Sequence, residues 1–482
     1  MNLASFLHAS ADRHPERPAV TDARVGRSLT YGQLAREAGR VAAFLSAQGV
    51  EPRQRIGVLA PNGLAYLPAA FGLLAVGACL VPLASNLTPA ETARIARDVQ
   101  LNGCLSWPEA NQIADRDMAG VVSEGACSGF TFQWLAREAE GPPALPRLNP
   151  AFIRFTSGTT AHSKGVVLSH EATAARVRAA DAVLRLSKED RILWVLPLAY
   201  HFAVTIVAYI RAGAHILMCP NTLPPTLIHA IQRLEPSVLY ASPFHFEGLG
   251  NLDARVPLTH VRLALSTSAP ITAAVMDRFE SLYSVPVGQA YGLIEAGLPC
   301  INTRTDGLPS TSVGRSVPGY EVAVLSDGGQ RPVAGGIGEI AVRSDGLFSA
   351  YYAPWQLRED VDRDGWFMTG DIGWLDQAGG LHLKGRKKAV IFVAGLKFFP
   401  EEVEDCINEF AGVTESRVFG RPHARLGEIP CAEVVLAPGC DLNALKAHCA
   451  RALSPWKVPL EFAVVAEIPR SPGGKILRRS FT

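Results

Sequence analysis

The chain has 482 residues, of which 48% are hydrophobic, and its formal net charge is +1. This length and apolar content predict a globular protein of two or three domains and exclude a disordered chain. The near-neutral charge does not favour nucleic acid or an anionic membrane as a partner, so a small-molecule substrate is the default expectation.

The nine cysteines are scattered along the chain without a C-x-x-C pair. This pattern predicts reduced thiols and speaks against a zinc site. No secretory signal is visible at the N-terminus, so we expect a cytoplasmic protein.

Residues 64–84 and 193–210 are uncharged and long enough to be membrane-span candidates. Proline and glycine interrupt the first, and Pro197 and His201 interrupt the second, so both are predicted to be buried elements and no membrane span is expected.

The first part of the chain alternates helix and strand patterns. Residues 33–45 have helical apolar spacing, residues 55–60 form a strand pattern, and an uncharged helix then leads to a strand ending at Leu83. Ser169 can cap the next helix, and further strands are expected at 192–196, 214–218, 237–240 and 262–265. This order predicts doubly wound α/β architecture, in which ligands lie beyond the carboxyl ends of strands.

The pattern changes twice in the second part of the chain. From about Pro309 it consists of short strands with glycine-rich turns, as in a small barrel or distorted sheet. After residues 385–388 a hairpin, a helix at 400–410, strands and a helix at 442–453 form a compact α+β unit. We therefore predict a large N-terminal domain, 1–386, of doubly wound α/β subdomains plus a small β-barrel-like subdomain, and a small C-terminal domain, 387–482.

A loop rich in hydroxyls and glycines, FTSGTTAHSKG at 155–165, joins two predicted strands. Its backbone N–H groups, hydroxyls and lysine suit a polyphosphate. A Walker-type P-loop is excluded because there Ser or Thr and then a helix follow the lysine, whereas Gly165 and a strand follow Lys164. A polar hairpin loop without a ligand is the alternative at this point.

Four later segments complete a pattern. They are QAYGLIE at 289–295, WFMTGDIG at 366–373, GRKK with a strand-Gly-strand from 385, and PRSPGGKILRR at 469–479. In this order the five segments resemble the adenylate-forming superfamily of acyl-CoA synthetases, peptide-synthetase adenylation domains and luciferases, over essentially the whole chain. The departures are Ala161 for the usual Gly, Ser163 for the usual Pro, and Ile294 for a Thr that reaches the α-phosphate.

The resemblance implies ATP and Mg²⁺ as cofactors. Tyr291 would stack on adenine, Asp371 would accept from the ribose hydroxyls, and Lys475 would bridge the substrate carboxylate and the α-phosphate. The implied catalytic residues are Lys475, Glu295 and Lys164, with Glu295 also holding Mg²⁺. The implied ATP-binding residues are Thr156, Ser157, Gly158, Thr159, Thr160, Lys164, Ser268, Ala269, Pro270, Ala290, Tyr291, Gly292, Asp371, Arg386 and Lys475.

The resemblance also implies a mobile C-terminal domain, with Lys388 as its hinge and Gly395 on the path of the thiol. The segment Leu196 to Val204 resembles the lining of the family's acyl pocket, which makes His201, Phe202 and Leu293 the expected substrate-binding residues. A histidine that serves only the core is the alternative for His201. Relatives that activate α-amino acids place an Asp here for the ammonium group, yet no Asp or Glu occurs from 192 through 234.

The expected function is ATP-dependent activation of a carboxylic acid, aliphatic or aryl and without a free α-amine, to an acyl-adenylate with release of pyrophosphate. The acyl group then passes to a thiol. CoA is the preferred acceptor, and a separate acyl or peptidyl carrier protein is the alternative. A non-catalytic nucleotide-binding homologue is a further alternative that only Ile294 favours. We expect a monomer or homodimer.

Overall fold

The computed structural model describes residues 1–107, 118–121, 127–155, 165–219, 221–252, 256–326, 329–330, 335–393, 396–423, 425–470 and 476. Within them the helices are α1 (Ala4–Arg13), α2 (Tyr31–Ala47), α3 (Tyr66–Val76), α4 (Pro89–Asp98), α5 (His170–Leu184), α6 (Leu198–His201), α7 (Val207–Ala212), α8 (Pro224–Leu234), α9 (Pro243–Gly250), α10 (Ala273–Tyr283), α11 (Arg358–Val361), α12 (Pro400–Asn408) and α13 (Leu442–Ala452).

The strands are β1 (Pro18–Asp22), β2 (Arg27–Thr30), β3 (Arg55–Ala60), β4 (Cys79–Ala84), β5 (Gly103–Ser106), β6 (Met118–Val121), β7 (Thr131–Trp134), β8 (Pro150–Phe155), β9 (Gly165–Ser169), β10 (Arg191–Trp194), β11 (His215–Met218), β12 (Val238–Ala241), β13 (Leu263–Ser266), β14 (Val287–Leu293), β15 (Gly297–Asn302), β16 (Arg315–Ser316), β17 (Glu321–Leu325), β18 (Gly338–Arg343), β19 (Ala350–Tyr351), β20 (Gln356–Leu357), β21 (Phe367–Leu375), β22 (Leu381–Arg386), β23 (Ile391–Val393), β24 (Leu396–Phe398), β25 (Val413–His423), β26 (Gly427–Leu436) and β27 (Glu461–Val464).

The chain divides into two compact units. Among the described residues, the first unit holds 1–155, 165–321 and 343–365, and the second holds 322–342 and 366–476. The second unit therefore combines the strands β18, β21 and β22 with the C-terminal α+β segment. The proposed domain boundary at residue 386 stays a prediction.

The first unit is built on two nine-stranded sheets. Their strand orders are β16-β15-β14-β13-β12-β10-β11-β1-β2 and β20-β19-β9-β8-β4-β3-β5-β7-β6. Parallel pairs form the centre of each sheet, and antiparallel pairs lie toward the edges. The parallel strands are connected through helices, which confirms the predicted doubly wound α/β fold class.

The central strands form because their residues can be buried on both faces. All six residues of β3 are buried, and β4 beside it is buried at all but one position. A continuous apolar run is the sequence signature of such strands. The predicted strand that ends at Leu83 and the predicted strand before the 155–165 loop are both found, because nearly all of their residues are apolar.

Helices α2 and α3 pack closely on each other, and α3 lies against β3 and β4 of the second sheet. Helix α2 begins at a capping box, in which the Thr30 hydroxyl accepts from the Gln33 N–H and the Gln33 side chain accepts from the Thr30 N–H. At Gly72 of α3, an added Cβ would lie 2.7 Å from Val41 Cβ and 2.9 Å from Ala38 O. The two helices can approach this closely only because residue 72 has no side chain.

The second unit contains two smaller sheets. The first has the order β17-β18-β21-β22, and the second has the order β24-β23-β26-β25 with β27 paired to β26. Helices α12 and α13 cover the second sheet through a core that includes Val403, Ile407, Val418 and Leu445. The predicted C-terminal helices and strands are therefore present, as the α+β pattern indicated.

Within the described residues, no helix is both long and apolar enough to cross a membrane. The stretch at 64–84 consists of α3, a glycine turn and β4. The stretch at 193–210 holds the end of β10, α6, one π-helical turn at Phe202–Ile206 and part of α7. Both are buried elements of the first unit, as predicted.

Two glycine-to-alanine substitutions should have opposite effects on stability. Gly39→Ala lies on the exposed side of α2, where an added Cβ meets nothing within 4 Å. It should stabilise the protein by about 0.5–1 kcal/mol, because alanine favours the helix. Gly72→Ala should instead destabilise it by about 1–3 kcal/mol, because the overlap with α2 exceeds the gain in helix propensity.

Urea unfolding of both variants against the parent tests this pair. Since each variant makes the same change inside a helix, their difference isolates the packing contribution. Equal stabilisation by both would contradict the close approach of α2 and α3.

Candidate active site

The predicted nucleotide residues of the first unit lie at one edge of the first sheet. Strands β13 and β14 are parallel neighbours, with Ser266 opposite Gln289, so their carboxyl ends meet at the same edge. Ser268, Ala269 and Pro270 follow β13. Ala290, Tyr291, Gly292 and Leu293 form the last part of β14. The fold thus brings these two predicted groups to adjacent strand ends.

At this edge, one residue has a left-handed backbone conformation and another has no room for a side chain. Ser268 has φ +76°, a left-handed conformation that costs free energy for a residue with a side chain. At Gly292, an added Cβ would lie 2.9 Å from Gly297 O and 2.7 Å from Leu298 Cδ2. Residue 292 therefore has no room for a side chain. Both residues belong to the set that the resemblance implied for ATP binding.

Glu295 lies in the turn between β14 and β15, and its carboxylate is oriented from a third strand. The Tyr351 hydroxyl donates to Glu295 Oε1 at 3.2 Å. Burial and the neighbouring Glu295 charge raise the pKa of Tyr351, so this phenol stays protonated and remains a donor. The Phe348 N–H also donates to Glu295 O at 2.7 Å.

A buried arginine holds the backbone of the same turn. Arg176 of α5 is 2% exposed, and it donates to Ile294 O at 3.0 Å, Glu295 O at 3.2 Å and Gly346 O at 2.6 Å. Burial lowers the pKa of Arg176. Three carbonyls around one guanidinium fix the turn between β14 and β15 to the segment before β19. We therefore assign Arg176 as a residue that positions Glu295.

The segment expected to line the acyl pocket is anchored by Asn62. Its side chain donates to Leu196 O at 2.8 Å and accepts from the Leu198 N–H at 2.9 Å. The predicted strand at 192–196 therefore ends early, at Trp194, because Asn62 occupies the hydrogen-bonding groups of residues 196 and 198. These two hydrogen bonds connect the start of α6 to the segment that follows the carboxyl end of β3.

His201 and Phe202 lie where α6 passes into the π-helical turn Phe202–Ile206. Such turns are frequent at functional sites. The His201 ring meets the Trp194 ring edge-on, with centroids 5.8 Å apart. Phe202 is fully buried, and rings of Tyr66, Phe71 and Phe152 surround it at 5.4–6.0 Å. Among the three predicted substrate residues, Leu293 is half-buried at the end of β14.

The predicted ribose residues lie together in the second unit. Asp371 of β21 is opposite Arg386 of β22 in the strand register, and their side chains form an ion pair of 2.6 Å. The Asp371 N–H donates to Thr369 Oγ1, and Gly370, with φ +74°, donates to Glu339 Oε1. The carboxylate is therefore held within the paired strand β21 before any ligand binds.

The remaining predicted residues have different outcomes. Lys388 is exposed in the short 3₁₀ turn Lys387–Ala389. Outside the described residues lie Thr156, Ser157, Gly158, Thr159, Thr160, Lys164, Gly395 and Lys475. Their roles stay predictions from the sequence.

Sequence reasoning missed Asn62, Arg154, Arg176 and Tyr351. Arg154 is 4% exposed near the end of β8, and its guanidinium donates to Tyr200 O. An arginine inside an apolar strand run was a visible signal, because charged side chains are seldom fully buried. The other three carried no such signal, since their partners lie far along the chain.

Mg²⁺ fits Glu295 as one of its oxygen ligands. The Tyr351 hydroxyl occupies Oε1, and in the part of the chain that the structure describes the other carboxylate oxygen makes no hydrogen bond. Over the same residues, no group of three His, Cys, Asp or Glu side chains could hold a metal alone. This agrees with Mg²⁺ bound largely by nucleotide phosphates, with one or two carboxylates.

Family comparison decides the identity of the fold. A sequence model described as AMP-binding enzyme matches residues 7–352, and one described as AMP-binding enzyme C-terminal domain matches residues 402–475. The first match alone covers more than half of the chain. The chain belongs to the AMP-binding enzyme family.

Individual relatives agree with this assignment. The sulfoacetate–CoA ligase of Cupriavidus necator is 29% identical over 99% of this chain and 96% of its own. The fatty acid–[acyl-carrier-protein] ligase ScoC of Streptomyces coeruleorubidus is 28% identical over 97% of this chain and 93% of its own. The ATP-bound crystal structure of MatB from Rhodopseudomonas palustris has a TM-score of 0.85 at 25% identity, covering 99% and 97% of the two chains.

These comparisons confirm the predicted family, the fold class and the reaction class of this AMP-binding enzyme, an ATP-dependent acid–thiol ligase. They do not assign individual residues. The roles of Tyr291, Glu295, Asp371 and the other site residues stay predictions.

Arg176→Lys should weaken the use of Mg²⁺ more than it weakens folding. Lysine keeps the charge but cannot reach three carbonyls in a fixed fork, so the Glu295 turn should shift. We expect about a 10- to 100-fold lower rate of ATP–pyrophosphate exchange and a higher Mg²⁺ concentration for half-maximal rate.

Arg55→Lys is the matched control. Arg55 is also 4% exposed and bonded to the carbonyls of Val99, Gln100 and Ala139, away from Glu295. It should lower the unfolding temperature without changing the Mg²⁺ requirement. A Mg²⁺ requirement that stays unchanged in Arg176→Lys would refute the positioning role.

Proposed function

We propose that this AMP-binding enzyme activates a carboxylic acid without a free α-amine and transfers the acyl group to CoA. A carboxylate oxygen attacks the α-phosphorus of ATP, the bond to the bridging oxygen breaks, and pyrophosphate leaves. The observation that carries the proposal is the Glu295 turn. It presents an oriented carboxylate directly after Tyr291, at the strand edge where ligands of this fold class bind.

We assign the nucleotide contacts as follows. Tyr291 stacks on adenine, and Asp371, prepared by Arg386, accepts from the ribose hydroxyls. Glu295 holds Mg²⁺, which would neutralise part of the phosphate charge when bound. Ser268 to Pro270 and Ala290 to Gly292 contribute backbone groups. Lys164 and the hydroxyls of residues 156–160 bind phosphate, and Lys475 stabilises the developing charge of adenylation.

The acid-binding region favours a substrate without an ammonium group. No Asp or Glu occurs from 192 through 234, the stretch that contains Asn62's partners, His201 and Phe202. A buried ammonium group without a carboxylate partner would be costly. The aromatic rings around Phe202 supply an apolar wall for the body of the acid.

CoA is the first choice of acceptor, because the sulfoacetate–CoA ligase relative is similar over nearly its whole length. The ScoC relative, which loads an acyl carrier protein, favours a carrier-bound phosphopantetheine as the second candidate.

We further propose that the C-terminal domain, 387–482, turns about Lys388 between adenylation and thiol transfer, with Gly395 on the thiol's path. The protein acts as a monomer or homodimer in the cytoplasm, and its nine free cysteines support a reducing compartment.

The acid specificity is tested by ATP–pyrophosphate exchange over a panel of acids. Aliphatic and aryl acids without an α-amine should support exchange, and α-amino acids should support little, because the ammonium group finds no carboxylate partner. Release of pyrophosphate with CoA present or absent identifies the acceptor. Strongest exchange with a free α-amino acid would disprove the proposed substrate class.

Ile294→Thr should leave adenylation equal or faster. The resemblance places a threonine hydroxyl here on the α-phosphate, and one added hydrogen bond contributes roughly 1 kcal/mol, or about fivefold in rate. Arg176 holds the backbone of residue 294 through its carbonyl, so the substitution should not move the turn.

Ile294→Val is the matched control, because it changes the size of the side chain without adding a hydroxyl. Single-turnover adenylation rates of the two variants are compared. A large loss of rate in Ile294→Thr alone would show that residue 294 contacts the acid rather than the phosphate.

A further inference from the structure

Arg154 is a buried cation whose charge the protein only partly compensates. The side chain is 4% exposed, and among the described residues its guanidinium makes one hydrogen bond, to Tyr200 O. Burial and the nearby Arg176 charge lower the pKa of Arg154 to about 10, and the Glu295 carboxylate offsets only part of this shift. A guanidinium has five N–H donors, so most of its donor capacity is not used by the described residues.

The other buried arginines of this unit are satisfied differently. Arg55 donates four hydrogen bonds to the carbonyls of Val99, Gln100 and Ala139. Arg176 donates to three carbonyls of its own. In the first unit, a buried arginine with a structural role donates to several peptide carbonyls, and Arg154 donates to only one among the described residues.

A second unsatisfied polar group lies in the same region. The Tyr66 hydroxyl is fully buried and, within the described residues, has no hydrogen-bond partner. The Tyr66 ring packs on Phe202 at 6.0 Å, and its hydroxyl lies within electrostatic range of Arg154. A buried donor without an acceptor is costly. An anion here would accept from both side chains.

Arg154 and Tyr66 lie at the edge of the second sheet where ligands of this fold class bind. Arg154 is at the carboxyl end of β8, and Tyr66 starts α3 just after the carboxyl end of β3, in a sheet where β3, β4 and β8 run parallel. Ligands of doubly wound sheets bind beyond these ends. The carbonyl that Arg154 contacts belongs to Tyr200, the residue before His201. The resemblance to adenylate-forming enzymes implies that the reacting carboxylate binds beside His201. Consecutive Cα atoms are about 3.8 Å apart, so the carbonyl that Arg154 contacts and the His201 backbone are direct neighbours.

We infer that Arg154 and Tyr66 recognise a second anionic group on the acid substrate. The enzyme then activates a short acid that carries a distal carboxylate or sulfonate, and this inference rests on the proposed function. The reacting carboxylate alone would use only part of the donor capacity that Arg154 and the Tyr66 hydroxyl offer. A short chain is required because the two anionic groups bind beside adjacent residues.

Matched acid pairs test the inference on the parent enzyme. Succinic acid is compared with its monoamide, and sulfoacetic acid with methylsulfonylacetic acid, by ATP–pyrophosphate exchange. Each pair keeps length and shape and changes only the distal charge. We expect at least about tenfold higher kcat/KM for the anionic member of one pair, the size of one charge-assisted hydrogen bond. The pair that shows the larger ratio identifies the carboxylate or the sulfonate.

Variants then locate the contact. Arg154→Met should lower kcat/KM for the anionic member about 100-fold, bring the ratio within the pair close to one, and leave the KM for ATP little changed. Its ligand-free unfolding temperature should be equal to or above that of the parent, because a buried charge that the protein compensates only in part is removed. Arg55→Met, the control, should unfold at lower temperature and keep the parent's ratio.

The outcomes separate the two proposals. If no acid of any kind supports exchange, the proposed function fails. If neutral acids are used as well as their anionic partners by the parent enzyme, the inference about Arg154 fails while the proposed function stands. The inference also fails if Arg154→Met lowers both members of a pair by the same factor, as a contact with the reacting carboxylate would, or if it mainly raises the KM for ATP.

Discussion

The shared guanidinium of Arg176 is the interaction on which the arrangement of the candidate site depends. Glu295 lies in a turn between two antiparallel strands, and a turn of this kind has few contacts of its own. Arg176 reaches it from α5 and joins its carbonyls to Gly346, while Tyr351 orients the carboxylate from β19. The acidic side chain is thereby fixed before substrate binds, which is the condition for electrostatic catalysis.

Three buried arginines of the first unit show how one residue type can serve different purposes. Burying a guanidinium costs several kcal/mol unless its donors are used. Arg55 and Arg176 offset this cost by donating hydrogen bonds to several peptide carbonyls, and they thereby connect distant segments of the chain. Arg154 meets it with a single carbonyl beside the acyl-pocket segment. The difference in hydrogen bonding, not in burial, separates a structural arginine from one suited to a ligand.

The predicted ribose residues of the second unit are brought together by strand register. Asp371 and Arg386 face each other across β21 and β22, so strand register alone determines that their side chains meet. The hydrogen bond from the Asp371 N–H to Thr369 Oγ1 and the positive φ of Gly370 shape the turn. Local pairing of this kind is encoded in a short stretch of sequence, and it explains why the Thr-Gly-Asp motif can be located without the structure.

The sequence by itself determined the succession of strands and helices, because apolar runs such as β4 and residues 56–60 of β3 are stable only when buried. It also determined the order of the site motifs, since Tyr291, Glu295, Asp371 and Arg386 lie within short segments whose chemistry is local. Only the tertiary structure decided which distant side chains support them. Arg176 is more than a hundred residues from Glu295, and Asn62 is equally far from Leu196. Their partners are peptide carbonyls and N–H groups, which every residue carries, so no sequence pattern distinguishes the ones that are used.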